Sequence, residues 1–309
     1  MVASLFSFIQ PGDLFSKFKP ESRFWKILNF PLMRIAVIAL FLVPIMAING
    51  VVVFSVIEQV EEPLATHIDI VRMIITIPLL LISYSLYCRV FEKRKAFELS
   101  LNGAWKEWLL GALVATSLVT LFVALISVFG SFEILEYRPA LVLLTNSLAF
   151  GMGALLQELI LLCVLFRLVE ELAGTWVGIA ISLVIFGFAH IMNPNQTIGT
   201  VIFLVLSSIV LIAPFILTRR LWVSWGFHTA WNFMQAGVFG MPNSGIQFPG
   251  WMITKVEGPV WLTGGAIGIE GSWLAFSADL ILGLLVLYVA VKAGKIVAPR
   301  WRRQVSQIE

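Results

Sequence analysis

Residues 198–217, IGTVIFLVLSSIVLIAPFIL, form a run of twenty residues without a charged side chain. A helix needs about 20 predominantly apolar residues to cross the hydrocarbon core of a bilayer. This stretch therefore predicts a membrane-spanning helix, and seven others of similar character occur along the chain. The fifth and seventh of the eight are short or interrupted by polar residues. The predicted spans are 31–57, 68–90, 108–129, 140–167, 175–192, 198–217, 221–239 and 273–291.

The overall composition agrees with a membrane protein. Hydrophobic residues make up 59% of the chain and charged residues only 13%, whereas soluble domains are about 45–50% apolar and about 25% charged. The net charge of +3 is explained by membrane anchoring and needs no nucleic-acid partner. The predicted fold class is an all-α, polytopic membrane helix bundle of about eight transmembrane helices with a buried polar site.

The basic residues predict how the bundle is oriented. Eighteen of the 21 Lys and Arg residues fall on the side that carries both termini and every second loop. Loops rich in Lys and Arg stay in the cytoplasm, so both termini are expected there. We expect a multi-pass protein of the plasma (inner) membrane.

The same pattern divides the chain into three parts. Residues 1–30 are expected to be a cytoplasmic or interfacial segment, in which 11–30 mixes aromatic and basic residues. Such a mixture is typical of a helix lying in the membrane interface, and a disordered basic tail is the alternative. Residues 31–297 are expected to form the bundle and 298–309 a basic cytoplasmic tail. The loop at 240–272 is expected outside, as a cap or re-entrant loop.

Polar side chains lie inside several predicted spans. They are Gln157 and Glu158 in the fourth, His190 in the fifth, and His228 and Asn232 in the seventh. An ionisable group at the bilayer centre costs about 2.5 kcal/mol or more unless it is paired or hydrated. These residues therefore predict a polar site buried in the bundle.

Their spacing places them at similar depths. Gln157 precedes the turn at Gly174 by 17 residues and His190 follows it by 16, which puts each roughly 25 Å along its helix at 1.5 Å per residue. His228 and Asn232 are four residues apart and share one helix face. Helix tilt would bring all four to one level.

Each of these groups also has a structural interpretation. A single intramembrane His can be a hydrogen-bonding bridge between helices, and Asn232 alone can be interhelical glue. Asp279 in the eighth span is interpreted as a structural polar group. Glu170 and Glu171 lie near a predicted cytoplasmic turn and are expected to be solvated.

The motifs resemble the CPBP family, which comprises CAAX prenyl endopeptidase-like and bacteriocin-processing intramembrane proteases and is also called the Abi family. The family pattern is EExxxR, then FxxxH, then HxxxN. Here FxxxH is Phe186–His190 and HxxxN is His228–Asn232. The resemblance covers about residues 140–290. The surrounding text that carries it is LVIFGFAHIMNPN at 183–195, LTRRLWVSWGFHTAWNF at 217–233 and GPVWLTGGAIGIEGS at 258–272.

The first motif departs from this pattern. In LLQELILLCVLFRLVEELAG at 155–174, Gln157 takes the first Glu position and Glu158 the second. Leu162 replaces the Arg, and Cys163 replaces a Gly often seen after it.

The resemblance implies a role for each site residue. The first Glu would act with the FxxxH histidine, His190, to activate water, and His228 and Asn232 would stabilise the oxyanion. Gln157 can position a water molecule but cannot accept its proton. Our hypothesis is that Glu158, which has lost the Arg expected four residues later, pairs with His190 or His228 and serves as a substitute base.

Three functions are compatible with these motifs. The first is an intramembrane endopeptidase that acts on membrane-embedded or lipidated peptides, including prenylated CAAX-type substrates, with a variant active site. The second is an inactive homologue that binds membrane peptides in an immunity, chaperone or regulatory role. The third is a transporter. Two histidines and a carboxylate can bind zinc, so His190, His228 and Glu158 are a possible metal site.

Overall fold

The computed structural model describes residues 10–305 and is almost entirely helical. Among these residues, two π-helices, Leu159–Phe166 and Phe233–Val238, continue two of the α-helices, and five short 3-10 helices lie before or between the longer elements. Two short strands, β1 (Ser131–Tyr137) and β2 (Met252–Glu257), pair antiparallel. The predicted fold class, a polytopic helix bundle, is confirmed. The α-helices are α1 (Arg23–Leu28), α2 (Pro31–Ser55), α3 (Leu64–Val90), α4 (Ala104–Phe129), α5 (Leu141–Glu158), α6 (Arg167–Ala173), α7 (Thr175–His190), α8 (Ile198–Ser207), α9 (Ile209–Thr218), α10 (Trp222–Asn232), α11 (Val260–Thr263), α12 (Trp273–Lys292) and α13 (Arg300–Val305).

Six helical segments among the described residues are long and apolar enough to cross a membrane, which makes this a multi-pass membrane protein. The predicted fifth and seventh spans correspond to shorter helices, α7 and α10 with its π-helical extension. They are the two stretches that were short or interrupted in the sequence. The six long segments are Pro31–Gln59, Leu64–Val90, Ala104–Phe129, Leu141–Ala173, Ile198–Thr218 and Trp273–Lys292.

Helix α10 is held against α4 by two glycines. A Cβ atom on Gly226 would lie 2.0 Å from the carbonyl oxygen of Trp108, and one on Gly111 would lie 2.1 Å from that of Val223. Small residues at a crossing let two membrane helices approach closely. This contact fixes α10, which carries His228 and Asn232.

A buried ionic network joins α2, α6 and the loop between α3 and α4. Arg34, Arg94 and Arg167 all form ion pairs with Glu92, at 2.7–2.9 Å, and Arg94 also binds Glu98 at 2.8 Å. Burial alone would raise the pKa of Glu92, but the three surrounding guanidinium groups lower it to about 2. The charges therefore stay ionised because they are paired.

The prediction that Glu170 and Glu171 are solvated is wrong. Glu170 is buried and accepts hydrogen bonds from Arg219 at 2.5 Å and from the Thr175 hydroxyl at 2.6 Å. Glu171 pairs with Arg34 at 2.5 Å. Basic residues from distant parts of the chain surround this turn, and that arrangement cannot be read from local sequence.

The N-terminal segment is not one continuous helix. Residues 11–30 contain a 3-10 helix, Pro11–Leu14, and then α1. Leu14 is fully buried, and its carbonyl oxygen accepts a hydrogen bond from Arg167 at 2.9 Å, so this end of the segment packs against the bundle. Residues 1–9 of the predicted N-terminal segment and 306–309 of the predicted tail lie outside the described residues.

The long loop before α12 folds over the bundle. Its strand β2 pairs with β1, with Phe132 opposite Val256 and Ile134 opposite Thr254. Arg138 donates a hydrogen bond to the Gly250 carbonyl oxygen at 2.6 Å. These contacts hold the loop beside the helix ends that carry the predicted site residues.

Candidate active site

A cavity of about 570 Å³ lies among α5, α7, α8, α9, α10, α12 and the long loop. Gln157, His190, His228 and Asn232 all line it. Four residues predicted from three separate motifs are thus brought to one site. The volume is in the range of sites that bind small ligands, about 300–1,000 Å³.

Glu158 belongs to this site through His228. Its Oε1 atom lies 2.6 Å from Nδ1 of His228, and its side chain is fully buried. Glu158 is not among the residues that line the cavity, so it lies behind the imidazole. Of the two pairings that the sequence suggested, the structure has the one with His228. The second carboxylate oxygen, Oε2, is buried without a hydrogen-bond partner among the described residues.

The hydrogen bond between Glu158 and His228 fixes the imidazole. A carboxylate can only accept a hydrogen bond, so Nδ1 of His228 carries the proton. Nε2 is then the nitrogen that remains for a ligand.

His190 has a different environment. Its Nδ1 atom lies 2.8 Å from the carbonyl oxygen of Phe186, one helical turn earlier. A carbonyl oxygen only accepts, so Nδ1 is again the protonated nitrogen, and Nε2 of the neutral ring has a free lone pair. The Phe186 ring lies between the two histidines, 4.7 Å from His190 and 6.2 Å from His228 by ring centroids.

Asn232 is oriented by a residue of the long loop. The amide nitrogen of Asn243 donates to its Oδ1 atom at 2.9 Å, which leaves the Asn232 amide N–H groups for another acceptor. Asn243 also lines the cavity. Its backbone pairs with Ile246 in a small bridge, so a turn of the loop holds the Asn232 side chain.

Two of the three helices that carry motif residues, α5 and α10, continue directly as π-helices. The π-helix Leu159–Phe166 follows Glu158, and the π-helix Phe233–Val238 follows Asn232. The Cys163 carbonyl oxygen in the first accepts a hydrogen bond from Arg167 at 2.7 Å. π-Helical turns are rare and often occur at functional sites. Here they directly follow Glu158 and Asn232, next to the cavity.

The sequence did not identify several residues of this site. Ser244 and Glu270 come from the long loop and line the cavity, as does Asn146 from α5. Asp279 was interpreted as a structural group, but it lines the same cavity. Asp279 lies in a predicted span, and Glu270 lies in the stretch 258–272 that carries part of the family resemblance. These two positions could have drawn attention to both residues. Neither belongs to a motif.

The zinc set suggested by the sequence is not assembled. Within residues 10–305, no group of three or more His, Cys, Asp and Glu side chains is placed to hold a metal ion. Nδ1 of His228 and Oε1 of Glu158 already bond to each other. In this arrangement the described residues form no three-ligand metal site, and zinc binding by His190, His228 and Glu158 stays a prediction.

Comparison with models of protein families found a match for part of the chain. No curated protein matched, and no solved structure matched. The family model, Type II CAAX prenyl endopeptidase Rce1-like, matches residues 136–234. The match includes Gln157, Glu158, His190, His228 and Asn232 and ends before Asn243. Residues 136–234 are therefore similar to the Rce1-like family, which agrees with the predicted resemblance to the CPBP family.

Proposed function

We propose that this protein is an intramembrane endopeptidase that hydrolyses a peptide bond in a membrane-embedded or lipidated peptide. The observation that carries the proposal is the contrast between two histidines in one cavity. His228 is backed by the carboxylate of Glu158, whereas His190 is backed by a neutral carbonyl oxygen. Environments that separate the acid–base behaviour of two groups allow one to act as a base and the other as a donor.

His190 is the base in this proposal. Its free Nε2 takes a proton from a water molecule as the water oxygen bonds to the scissile carbonyl carbon. The Gln157 side chain, which lines the cavity, orients that water without accepting its proton. His190 then passes the proton to the leaving amine nitrogen as the C–N bond breaks. This replaces a scheme in which a Glu at position 157 would take the proton.

His228 and Asn232 are the donors to the developing oxyanion. In this proposal His228 donates from Nε2 with both ring nitrogens protonated, because its Nδ1–H is already bonded to Glu158. The Asn232 amide is oriented by Asn243, and the His228 ring by Glu158. Donors that are already oriented stabilise a negative charge without reorganisation, and losing one typically costs about 10²–10³ in kcat. Glu158 is then a positioning residue for His228, which the buried location of its side chain favours over the substitute-base role.

The test compares purified wild type, Gln157→Glu, His190→Ala and His67→Ala in liposomes. Each is incubated with prenylated and membrane-tethered peptides, and cleavage is read by mass spectrometry. His67 is the remaining histidine of the chain and lies exposed near the start of α3, so its variant is the matched control. We expect cleavage by wild type and His67→Ala, and none by His190→Ala. Equal cleavage by His190→Ala would refute the proposed base.

A second candidate function is a homologue that binds such peptides without cutting them. Gln157 in the first Glu position favours it, because loss of a base typically removes about 10²–10⁴ in rate. In that case wild type would bind but not cleave, and Gln157→Glu would gain cleavage.

A further inference from the structure

Part of the cavity wall is acidic and has no role in the proposed reaction. Glu270 and Asp279 both line the cavity. They lie close enough to each other to interact electrostatically. No Lys or Arg is among the described residues that line it. Glu158 is paired with His228, but these two carboxyl groups face the cavity without a Lys or Arg partner among those lining residues.

Asp279 has no hydrogen bond or ion pair to the described part of the protein. The residue is only 7% exposed, and its Oδ1 atom is buried without a hydrogen-bond partner among the described residues. A buried polar group without a partner is costly. A polar residue with only a structural role would form a hydrogen bond to a neighbouring helix.

The backbone keeps Asp279 at the cavity. Gly283 follows it by one helical turn and faces the same side of α12. A Cβ atom on Gly283 would lie 2.5 Å from Cγ2 of Ile209 and 2.7 Å from the backbone nitrogen of Val210. Helix α12 is thus pressed against the start of α9, and this contact directs Asp279 toward the interior of the bundle.

Glu270 is also held in place. Its carboxylate accepts a hydrogen bond from the backbone N–H of Ser244. His228 is within electrostatic range of the same carboxylate. The acidic part of the cavity therefore lies near the groups assigned to catalysis.

We propose that Glu270 and Asp279 form a subsite that binds a cationic side chain, an ammonium or guanidinium group, of the peptide that enters the cavity. A cation there would supply the partner that Asp279 lacks and would reduce the repulsion between the two carboxylates. The inference rests on the proposed function only for the peptide nature of the ligand. It does not require that the peptide be cleaved.

The test measures binding of matched membrane-tethered peptides. Each peptide is acetylated at its N-terminus and carries one lysine, moved through successive positions, and its partner carries acetyl-lysine at the same position. Binding is followed by fluorescence anisotropy with EDTA present, so that divalent metal ions do not contribute. Every protein carries His190→Ala, which keeps the peptides intact.

We expect one position at which lysine binds about tenfold more tightly than acetyl-lysine, as one hydrogen bond between charged groups provides. Asp279→Asn and Glu270→Gln should each reduce this ratio at least threefold and leave acetyl-lysine binding unchanged. Glu133→Gln, which removes a charge from the exposed strand β1, should keep the full ratio. Thermal unfolding checks that each variant is folded. If Asp279→Asn does not fold, the change in the binding ratio of Glu270→Gln alone tests the subsite.

The absence of a lysine preference at every position, or a preference that survives both substitutions, would overturn the subsite. Cleavage is measured separately with wild-type protein. A lysine preference without cleavage supports the subsite and counts against the endopeptidase proposal. Cleavage without a lysine preference supports the endopeptidase proposal and counts against the subsite.

Discussion

Replacing Glu158 by Gln tests how the site is built. Gln has almost the same shape, and its carbonyl oxygen can still accept from Nδ1 of His228 at the position where Oε1 lies 2.6 Å away. The substitution removes the negative charge from the acceptor of this hydrogen bond. Hydrogen bonds to charged groups contribute about 1.5–3 kcal/mol, against about 0.5–1.5 kcal/mol for neutral ones.

The expected loss follows from that difference. About 1–2 kcal/mol less stabilisation of the transition state lowers kcat by roughly 5- to 30-fold, since 1.36 kcal/mol corresponds to a factor of ten. KM should change little, because Glu158 lies behind His228 and does not line the cavity. His228→Ala removes the donor itself and should cost about 10²–10³ in kcat.

The assay is steady-state cleavage of a membrane-tethered peptide by wild type, Glu158→Gln, His228→Ala and the double variant. If Glu158 acts only through His228, the double variant should be no slower than His228→Ala. Glu133→Gln, in the exposed strand β1, is the control for loss of one charge. Losses that multiply in the double variant would refute the reasoning, because Glu158 would then act independently of His228.

Three further outcomes are expected. Gly226→Ala should lower the unfolding temperature, because its Cβ meets the backbone of α4 at 2.0 Å and overpacking typically costs about 1–3 kcal/mol; Gly50→Ala, with no atom within 4 Å, is its control. The stability that ionised Glu92 contributes should be fully present above its ordinary pKa of 4.5 and should decrease as the pH falls toward about 2. Thermal unfolding measured over this pH range should show a loss of about 3 kcal/mol in all, and the Glu92→Gln variant should not show this loss. Asn243→Ala should lower kcat about tenfold with little change in KM, because it releases the Asn232 amide from its 2.9 Å hydrogen bond; an equal kcat would show that Asn243 does not orient the donor.

The sequence predicted the helices and the meeting of the motif residues because both depend on simple periodicities. Apolar runs of about 20 residues identify spans, and the rise per residue places Gln157 and His190 at similar depth. His228 and Asn232 share a face because they are four residues apart. These relations are local to one helix or to one turn between two helices.

The remaining features depend on contacts between distant segments. The strands β1 and β2 are short and lie more than a hundred residues apart, so neither has a local signal strong enough to predict pairing. The prediction that Glu170 is solvated is wrong because Arg219, 49 residues away in sequence, donates a hydrogen bond to its carboxylate at 2.5 Å. Asp279 was assigned to structure because it matches no motif, and only the folded chain places it at the cavity.

The polar side chains of the cavity fall into two groups by how the protein holds them. His190, His228 and Asn232 each use one atom in a hydrogen bond to the scaffold and keep another free. Such half-bonded groups are oriented in advance, which is what proton transfer and oxyanion stabilisation require. Gln157 and Asp279 have no hydrogen bond to the described part of the protein, so water and substrate are the partners left for them. The unbonded groups would select what enters the cavity, and the half-bonded groups would act on it.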